Sequence, residues 1–377
     1  MKIVADENIP FVEEAFGTLG EITIVPGREI GPEQVRDADL LLVRSVTRVD
    51  ERLLEGSRVR FVGSATIGLD HVDHAWLRAR GIVLAYAPGS NANSVAEYVV
   101  AALVALREER RAGRTLGIIG MGRIGTLVRE KARALGMAVL ANDPPLERAG
   151  KAGLSSLEDL LQHSDIVTCH VPLTRDGPDA TDHLLDVSRL ALLQPHAVVI
   201  NTARGAVVDN AALLRCLQAK RLGGVVLDVW EGEPQPDPAL IRAVTLGTPH
   251  VAGYSWNGKA AGTKMLYDAA CTFFNRRFKW APPSPHDETD RRPVAIEAGR
   301  SLDEALRELV PRSYDIRRDD AALRAVAELP GSEQGHAFDQ LRAAYPRRLE
   351  FRHTSVAFQS GRSKVPEALR RIGFSVL

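Results

Sequence analysis

At 377 residues, the chain is long enough for two or three domains of roughly 100 to 200 residues each. Apolar residues make up 45% and charged residues 25%, the balance of a soluble globular protein and not of a disordered or membrane-embedded one. The 48 basic and 48 acidic side chains cancel, so no overall field favours nucleic acid or an anionic membrane, and any anion site has to be a local cluster.

In chain order, the opening Met1-Lys2-Ile3-Val4-Ala5-Asp6 reads as a first strand and lacks the long apolar core of a secretion signal. No stretch reaches the ~18 uninterrupted apolar residues that span a bilayer. Short apolar runs at Ile3 to Ala5, Leu40 to Val43, Val59 to Val62 and Ile82 to Ala85 alternate with amphipathic stretches, the rhythm of parallel α/β structure. From Asn93 to Arg107 the spacing of Val95, Val99, Val100, Leu103, Val104 and Leu106, with no proline or glycine, predicts a well-buried helix. The charged run Arg107 to Arg114 then reads as a solvated passage between modules.

A second α/β unit begins at Thr115, with strands expected at Leu116 to Ile119, Ala138 to Ala141, Ile166 to Cys169, Val198 to Asn201 and Val225 to Val229. Five such repeats predict a doubly wound nucleotide-binding sheet. Ala281-Pro282-Pro283-Ser284-Pro285-His286 has the stiffness of a linker. Beyond it, Arg-rich helical stretches and the run Phe351 to Phe358 suggest a small α+β module. Cys169, Cys216 and Cys271 lie far apart without C-x-x-C spacing. They predict neither a zinc knuckle nor a disulfide framework, and a reducing cytoplasm suits them.

Two constellations carry chemistry. Gly120-Met121-Gly122-Arg123-Ile124-Gly125 places G-x-G-x-x-G directly after an apolar strand and before the amphipathic segment Thr126 to Leu135. Gly120 allows a tight turn, Gly122 lets the backbone approach a pyrophosphate, and Gly125 lets helix and strand pack closely. Asp143, at the end of the next strand, is placed to accept hydrogen bonds from a ribose and to repel a 2'-phosphate, which favours NAD over NADP.

The second constellation sits at the ends of later strands: Arg204 in Asn201 to Asp209, Glu233 in Leu227 to Pro234, and His250 in Thr248 to Tyr254. Oxidising an alcohol requires removal of the hydroxyl proton as hydride leaves, and a histidine can take it near neutral pH. Glu233 would fix the ring's tautomer and favour its charged form, while the fork of Arg204 suits a substrate carboxylate.

At these residues the sequence resembles the D-isomer-specific 2-hydroxyacid dehydrogenases, through the glycine motif, Asn201 to Asp209, and Asp228 to Pro234 with His250. The resemblance implies two Rossmann-like, doubly wound parallel-sheet domains. Residues 1–97 and 255–282 would form a discontinuous substrate domain around an NAD domain of residues 98–254, with the active site in the cleft. It implies Arg204, Glu233 and His250 as the catalytic trio. It also implies NAD contacts from Gly120, Gly122, Arg123, Ile124, Gly125, Asp143, Val171, Thr202, Ala203, Arg204, Asp228 and Gly253.

Asp6 to Pro10, Val43 to Thr47, Pro88 to Ala92, Gly247 to Tyr254, Tyr314 to Asp320 and Phe338 to Arg342 resemble one branch of the family, which oxidises a phosphorylated 2-hydroxy acid in vitamin B6 synthesis. That branch implies substrate contacts from Ser45, Thr66 and Tyr254, with Arg44 toward the phosphate. It also implies a homodimer built through a C-terminal domain of residues 286–377. Two alternatives stay open at this point. One is a dehydrogenase of another phosphorylated 2-hydroxy acid such as 3-phosphoglycerate, although the tail shows no amino-acid-sensing repeat. The other is an NAD-sensing, corepressor-like binding module on the same fold.

Overall fold

Each apolar run named above before residue 230 forms a strand of a parallel sheet in a computed structural model. The structure describes residues 1–66, 68–106, 113–285, 292–297, 299–358 and 364–377. The expected charged passage therefore lies mostly outside the described residues, as does His286 at the end of the proline-rich segment. Among the described residues, no helix is long and apolar enough to cross a membrane.

The chain divides into two units, Met1–Asn91 with Ser255–Glu288, and Ala92–Tyr254 with Thr289–Leu377. The first holds β1 (Lys2–Asp6), β2 (Glu21–Val25), β3 (Leu40–Val43), β4 (Phe61–Ser64) and β5 (Val83–Tyr86), ordered β2-β1-β3-β4-β5. The chain winds outward from β1 in both directions, so the carboxyl ends of β1 and β3 flank the point where strand order reverses. Asp6, Arg44, Ser45 and Thr66 all stand at or just past strand ends on this edge. The helix Trp256–Phe273 returns to the same unit, and its Leu266, Tyr267, Ala270 and Cys271 join Ile3, Ala5, Leu40, Leu42 and Phe61 in one core.

The second unit holds β6 (Thr115–Ile119), β7 (Ala138–Asn142), β8 (Ile166–Cys169), β9 (Val198–Asn201), β10 (Gly224–Leu227) and β11 (Leu246–Gly247), ordered β11-β10-β9-β8-β6-β7. Strand order here reverses beside β6, which places the glycine motif at the switch point. The helix expected over 93–107 runs Ala92–Ala105 and is buried along nearly its whole length.

The last residues form β12 (Val294–Ile296), β13 (Ser355–Phe358) and β14 (Ser375–Val376), a small parallel sheet, with helices Leu302–Ser313, Ile316–Ala327, Gly331–Ala343 and Val365–Ile372. These residues, read from sequence as a module of their own, share the hydrophobic cores of the second unit. Leu306, Leu309, Phe351, Val356, Leu369 and Ile372 pack with Leu116, Ile118 and the helix Ala92–Ala105. Leu323, Val326 and Phe338 pack with Val167, Val199, Trp230 and Leu240. Burial on both faces accounts for the near-continuous apolar strands.

Candidate active site

The glycine motif takes up the three geometries its spacing predicts. Gly120 has φ +93°, and a Cβ there would lie 2.7 Å from the His170 carbonyl oxygen. A Cβ on Gly125 would fall 2.0 Å from the Gly120 carbonyl oxygen, so helix and turn touch through bare backbone. A Cβ on Gly122 would meet nothing within 4 Å. Gly122 caps the helix Arg123–Ala134, whose first amides and positive end face that open space. This is the environment a pyrophosphate needs.

Asp143 closes the cradle from β7, accepting from the Met121 amide at 2.8 Å and capping the helix Pro144–Arg148 through the Leu146 amide at 3.1 Å. Arg123 and Ile124 open the glycine-loop helix, and Val171 lies just past β8, where its methyl would stand 2.8 Å from a Cβ on Gly120. These residues fit a dinucleotide.

Two strands along, β9 ends in a turn tied by its own asparagine. Asn201 accepts from the Ala203 amide at 3.0 Å and donates to the Arg204 carbonyl at 2.8 Å, which fixes Thr202, Ala203 and Arg204. Thr202 Oγ1 also meets His170 Nδ1 at 3.2 Å, while His170 Nε2 meets Thr168 Oγ1 at 3.0 Å. Burial pushes the His170 ring down to about 3, so it bridges the two threonines as an uncharged group. The Arg204 fork lies against its own strand end, with Nη1 donating to the Ala203 carbonyl at 2.7 Å. Next to it, a Cβ on Gly205 would fall 2.0 Å from the Trp230 carbonyl carbon. The Arg204 turn thus abuts the loop that carries Glu233.

The centre of the site is a short polar chain. Nδ1 of His250 lies 2.7 Å from Glu233 Oε2, with side chains 32% and 22% exposed. Glu233 Oε1 accepts from the Trp230 amide at 2.9 Å. Burial alone pushes the Glu233 carboxyl up, but the charge and hydrogen bond of His250, the Trp230 amide and the charge of Arg342 hold it below its ordinary range. An ionised Glu233 accepts a hydrogen bond from Nδ1–H, a pairing that leaves Nε2 as the ring's basic nitrogen.

His250 itself has φ +57°, a left-handed setting uncommon outside glycine. The segment just after it is fastened by Asp228, 1% exposed. Asp228 accepts from Thr248 Oγ1 at 2.7 Å and from the Val251 and Ala252 amides at 2.7 and 2.9 Å. Burial raises the Asp228 carboxyl, against the charge of His250 and these hydrogen bonds. Trp230, whose Nε1 donates to the Thr248 carbonyl at 3.0 Å, ties the two loops from the other side. Gly253 and Tyr254 come next in the chain, both half-buried.

In the first unit, Ser45 is exposed and Arg44 half-buried, past β3. Thr66 Oγ1 lies 2.7 Å from Ser64 Oγ and donates to the Gly68 carbonyl at 3.0 Å. Asp6 is fully buried at the end of β1, raised by that burial, and feels the lowering charge of Arg44.

Sequence reasoning missed Asn201, His170 and Trp230. Asn201 alone left a local trace, since a polar residue closing an apolar strand before a turn is an Asx-type signal. The other two each need a partner distant in sequence, Thr202 for His170 and Thr248 for Trp230.

Comparison with known proteins places this geometry. Residues 92–252 match the family model described as the D-isomer specific 2-hydroxyacid dehydrogenase NAD binding domain. Residues 288–373 match a second model, described only as a domain of unknown function. Among solved structures, the D-lactate dehydrogenase of Aquifex aeolicus complexed with NAD and lactic acid is 27% identical, with TM-score 0.62, covering 72% of this chain and 95% of its own. The NAD-dependent formate dehydrogenase of Staphylococcus aureus in complex with NAD is also 27% identical, with TM-score 0.63, covering 74% and 97%.

Two curated relatives extend over nearly the full length. The erythronate-4-phosphate dehydrogenase of Salinibacter ruber is 49% identical over 373 residues, 94% of each chain. That of Escherichia coli is 46% identical over 361 residues, 93% of this chain and 92% of its own. With a glycine cradle for NAD and a histidine held by a carboxylate, and with that identity over nearly all of its length, the chain belongs to the erythronate-4-phosphate dehydrogenases, NAD-dependent oxidoreductases of the D-isomer-specific 2-hydroxyacid dehydrogenase family.

Proposed function

We propose that the protein oxidises 4-phospho-D-erythronate at C2 to (R)-3-hydroxy-2-oxo-4-phosphooxybutanoate, a step of pyridoxal 5'-phosphate synthesis. The observation that carries this reading is the 2.7 Å contact between His250 Nδ1 and Glu233, in a chain whose near-full-length relatives bear that enzyme's name. Bound NAD supplies the hydride acceptor. The glycine loop, Arg123, Ile124, Asp143, Val171, Thr202 to Arg204, Asp228 and Gly253 would hold it. The fork of Arg204 takes the substrate carboxylate, which sets C2 beside the acceptor. Nε2 of His250 takes the C2 hydroxyl proton, and the ionised Glu233 stabilises the imidazolium that forms. By resemblance to the family, Ser45, Thr66, Tyr254 and Arg44 are the remaining residues assigned to substrate binding, Arg44 to its phosphate.

The assay is NADH formation with 4-phosphoerythronate, 3-phosphoglycerate and unphosphorylated erythronate, after removal of tightly held cofactor. Selective turnover of the first is the expected result. Preference for either other acid would reassign the substrate, and silence with all three would overturn the enzymatic reading. His250→Ala is expected to lower kcat by about a hundredfold or more while NAD binding persists; near-normal turnover would remove His250 as the base. In this reading the protein works in the cytoplasm as a homodimer assembled through its C-terminal residues, for which light scattering gives the mass.

A further inference from the structure

The run Tyr345-Pro346-Arg347-Arg348 looks from sequence like a solvated basic face. In the structure Arg348 is 6% exposed and points into its own chain. Its Nη2 donates to the Ala252 carbonyl at 2.9 Å and to the Ser94 carbonyl at 2.8 Å, and Nη1 stands 3.5 Å from the Val251 carbonyl. The guanidinium carbon lies 4.1 Å from the Tyr314 ring centroid. Asp319 and Glu97 lie in the same buried network, which offsets the guanidinium charge. Adjoining bonds stitch this segment to the helix Ala92–Ala105. Ser94 Oγ donates to Glu350 at 3.0 Å, and the Phe351 amide donates to Glu97 at 3.0 Å.

Val251 and Ala252 are the residues whose amides Asp228 accepts. We propose that Arg348 is a positioning residue for the catalytic histidine of its own chain, holding by its carbonyls the segment after His250 that Asp228 holds by its amides. Backbone fastened from both sides cannot rotate to relax the left-handed turn at His250, and Nδ1 stays in line with Glu233. The region described only as a domain of unknown function thereby acts on the reacting centre in cis. This inference deepens the proposed function and rests on it.

Two variants and one measurement on the unaltered protein test it. Arg348→Lys keeps the charge but loses the planar fork, and Arg348→Met loses both. The expected result is a fall in kcat of roughly tenfold to a hundredfold, larger for methionine, with the KM for NAD unchanged. Hydrogen exchange should quicken at the Val251 and Ala252 amides and stay as it was in β6 to β9. A lysine or methionine variant that folds and turns over at close to the original rate overturns the inference. So does a loss that falls equally on NAD binding and on exchange throughout the unit, which marks a general structural role.

In the unaltered protein, the Val251 and Ala252 amides are expected to exchange only with global opening. Fast local exchange there overturns the proposal however the variants fold. That measurement needs no turnover, so an inactive protein would sink the substrate reading while exchange still decided the clamp.

Discussion

Asp143 binds three partners with one carboxylate in the proposed complex: the Met121 amide, the Leu146 amide and the adenosine ribose. Its charge repels a 2'-phosphate, so Asp143→Ala is expected to shrink the preference for NAD over NADP by about tenfold or more. The measurement is the ratio of kcat/KM for the two cofactors, which divides out any general loss from the missing helix cap. An unchanged ratio would mean the ribose is read elsewhere. Asp143 was legible from its spacing to the glycine motif, and Arg204, Glu233 and His250 from their joint placement on turns past later strands, where packing does not call for charge. His170 and Trp230 look like ordinary strand-end and core residues. Their roles exist only once Thr168 meets Thr202 through a ring, and once Thr248 is brought to an indole.

Within the strand-turn-helix element from Thr115 to Ala134, the glycines separate by what their missing side chains would touch. Gly125→Ala forces a methyl onto the Gly120 carbonyl, so it is expected to lower Tm and weaken NAD binding together. Gly122→Ala meets open space in the protein alone, so Tm should hold while NAD binds about tenfold more weakly, roughly 1.4 kcal/mol. Equal Tm values for the two variants would contradict this division. The buried strands were legible as short apolar runs, but β2 and β11 were not. β2 is an edge strand with a mixed exposure pattern, and β11 is two residues long. β11 is too short to mark a strand from sequence alone, while β2, five residues like β1, lacks an unbroken apolar run such as Ile3 to Ala5.

At the scale of the whole molecule, the C-terminal residues belong to the cofactor-binding unit, and a cluster of buried charges records the join. Glu97 accepts from the Phe351 amide and from Asn93 at 2.9 Å. Lys131 donates to the Ile372 carbonyl, with Glu350 and Arg348 close by. Burial pushes the Glu97 carboxyl up from 4.5 to about 7, against the charge of Lys131. A carboxyl raised on folding favours the native state most when protonated. Its contribution is complete below 4.5 and is lost as pH rises through about 7. Glu97→Gln is expected to flatten the part of the Tm-versus-pH curve that falls across that window; an identical slope would show that Glu97 does not set it. The sequence pointed to the tail as a separate module because a proline-rich stretch precedes it. The contacts that join it to the unit pair residues some 250 positions apart, such as Ser94 with Glu350, and no local pattern carries such a pairing.

The path of the chain also sets an order of assembly during translation. The first sheet is complete once residue 86 has emerged, yet the helix that covers Ile3, Ala5, Leu40, Leu42 and Phe61 is not made until Trp256–Phe273. The second unit waits longer, since Arg348, Phe351 and Ile372 follow later still in the chain. A nascent chain halted after β11 therefore carries two unfinished cores with bare apolar faces, and the histidine turn becomes fully fastened only once Arg348 has emerged.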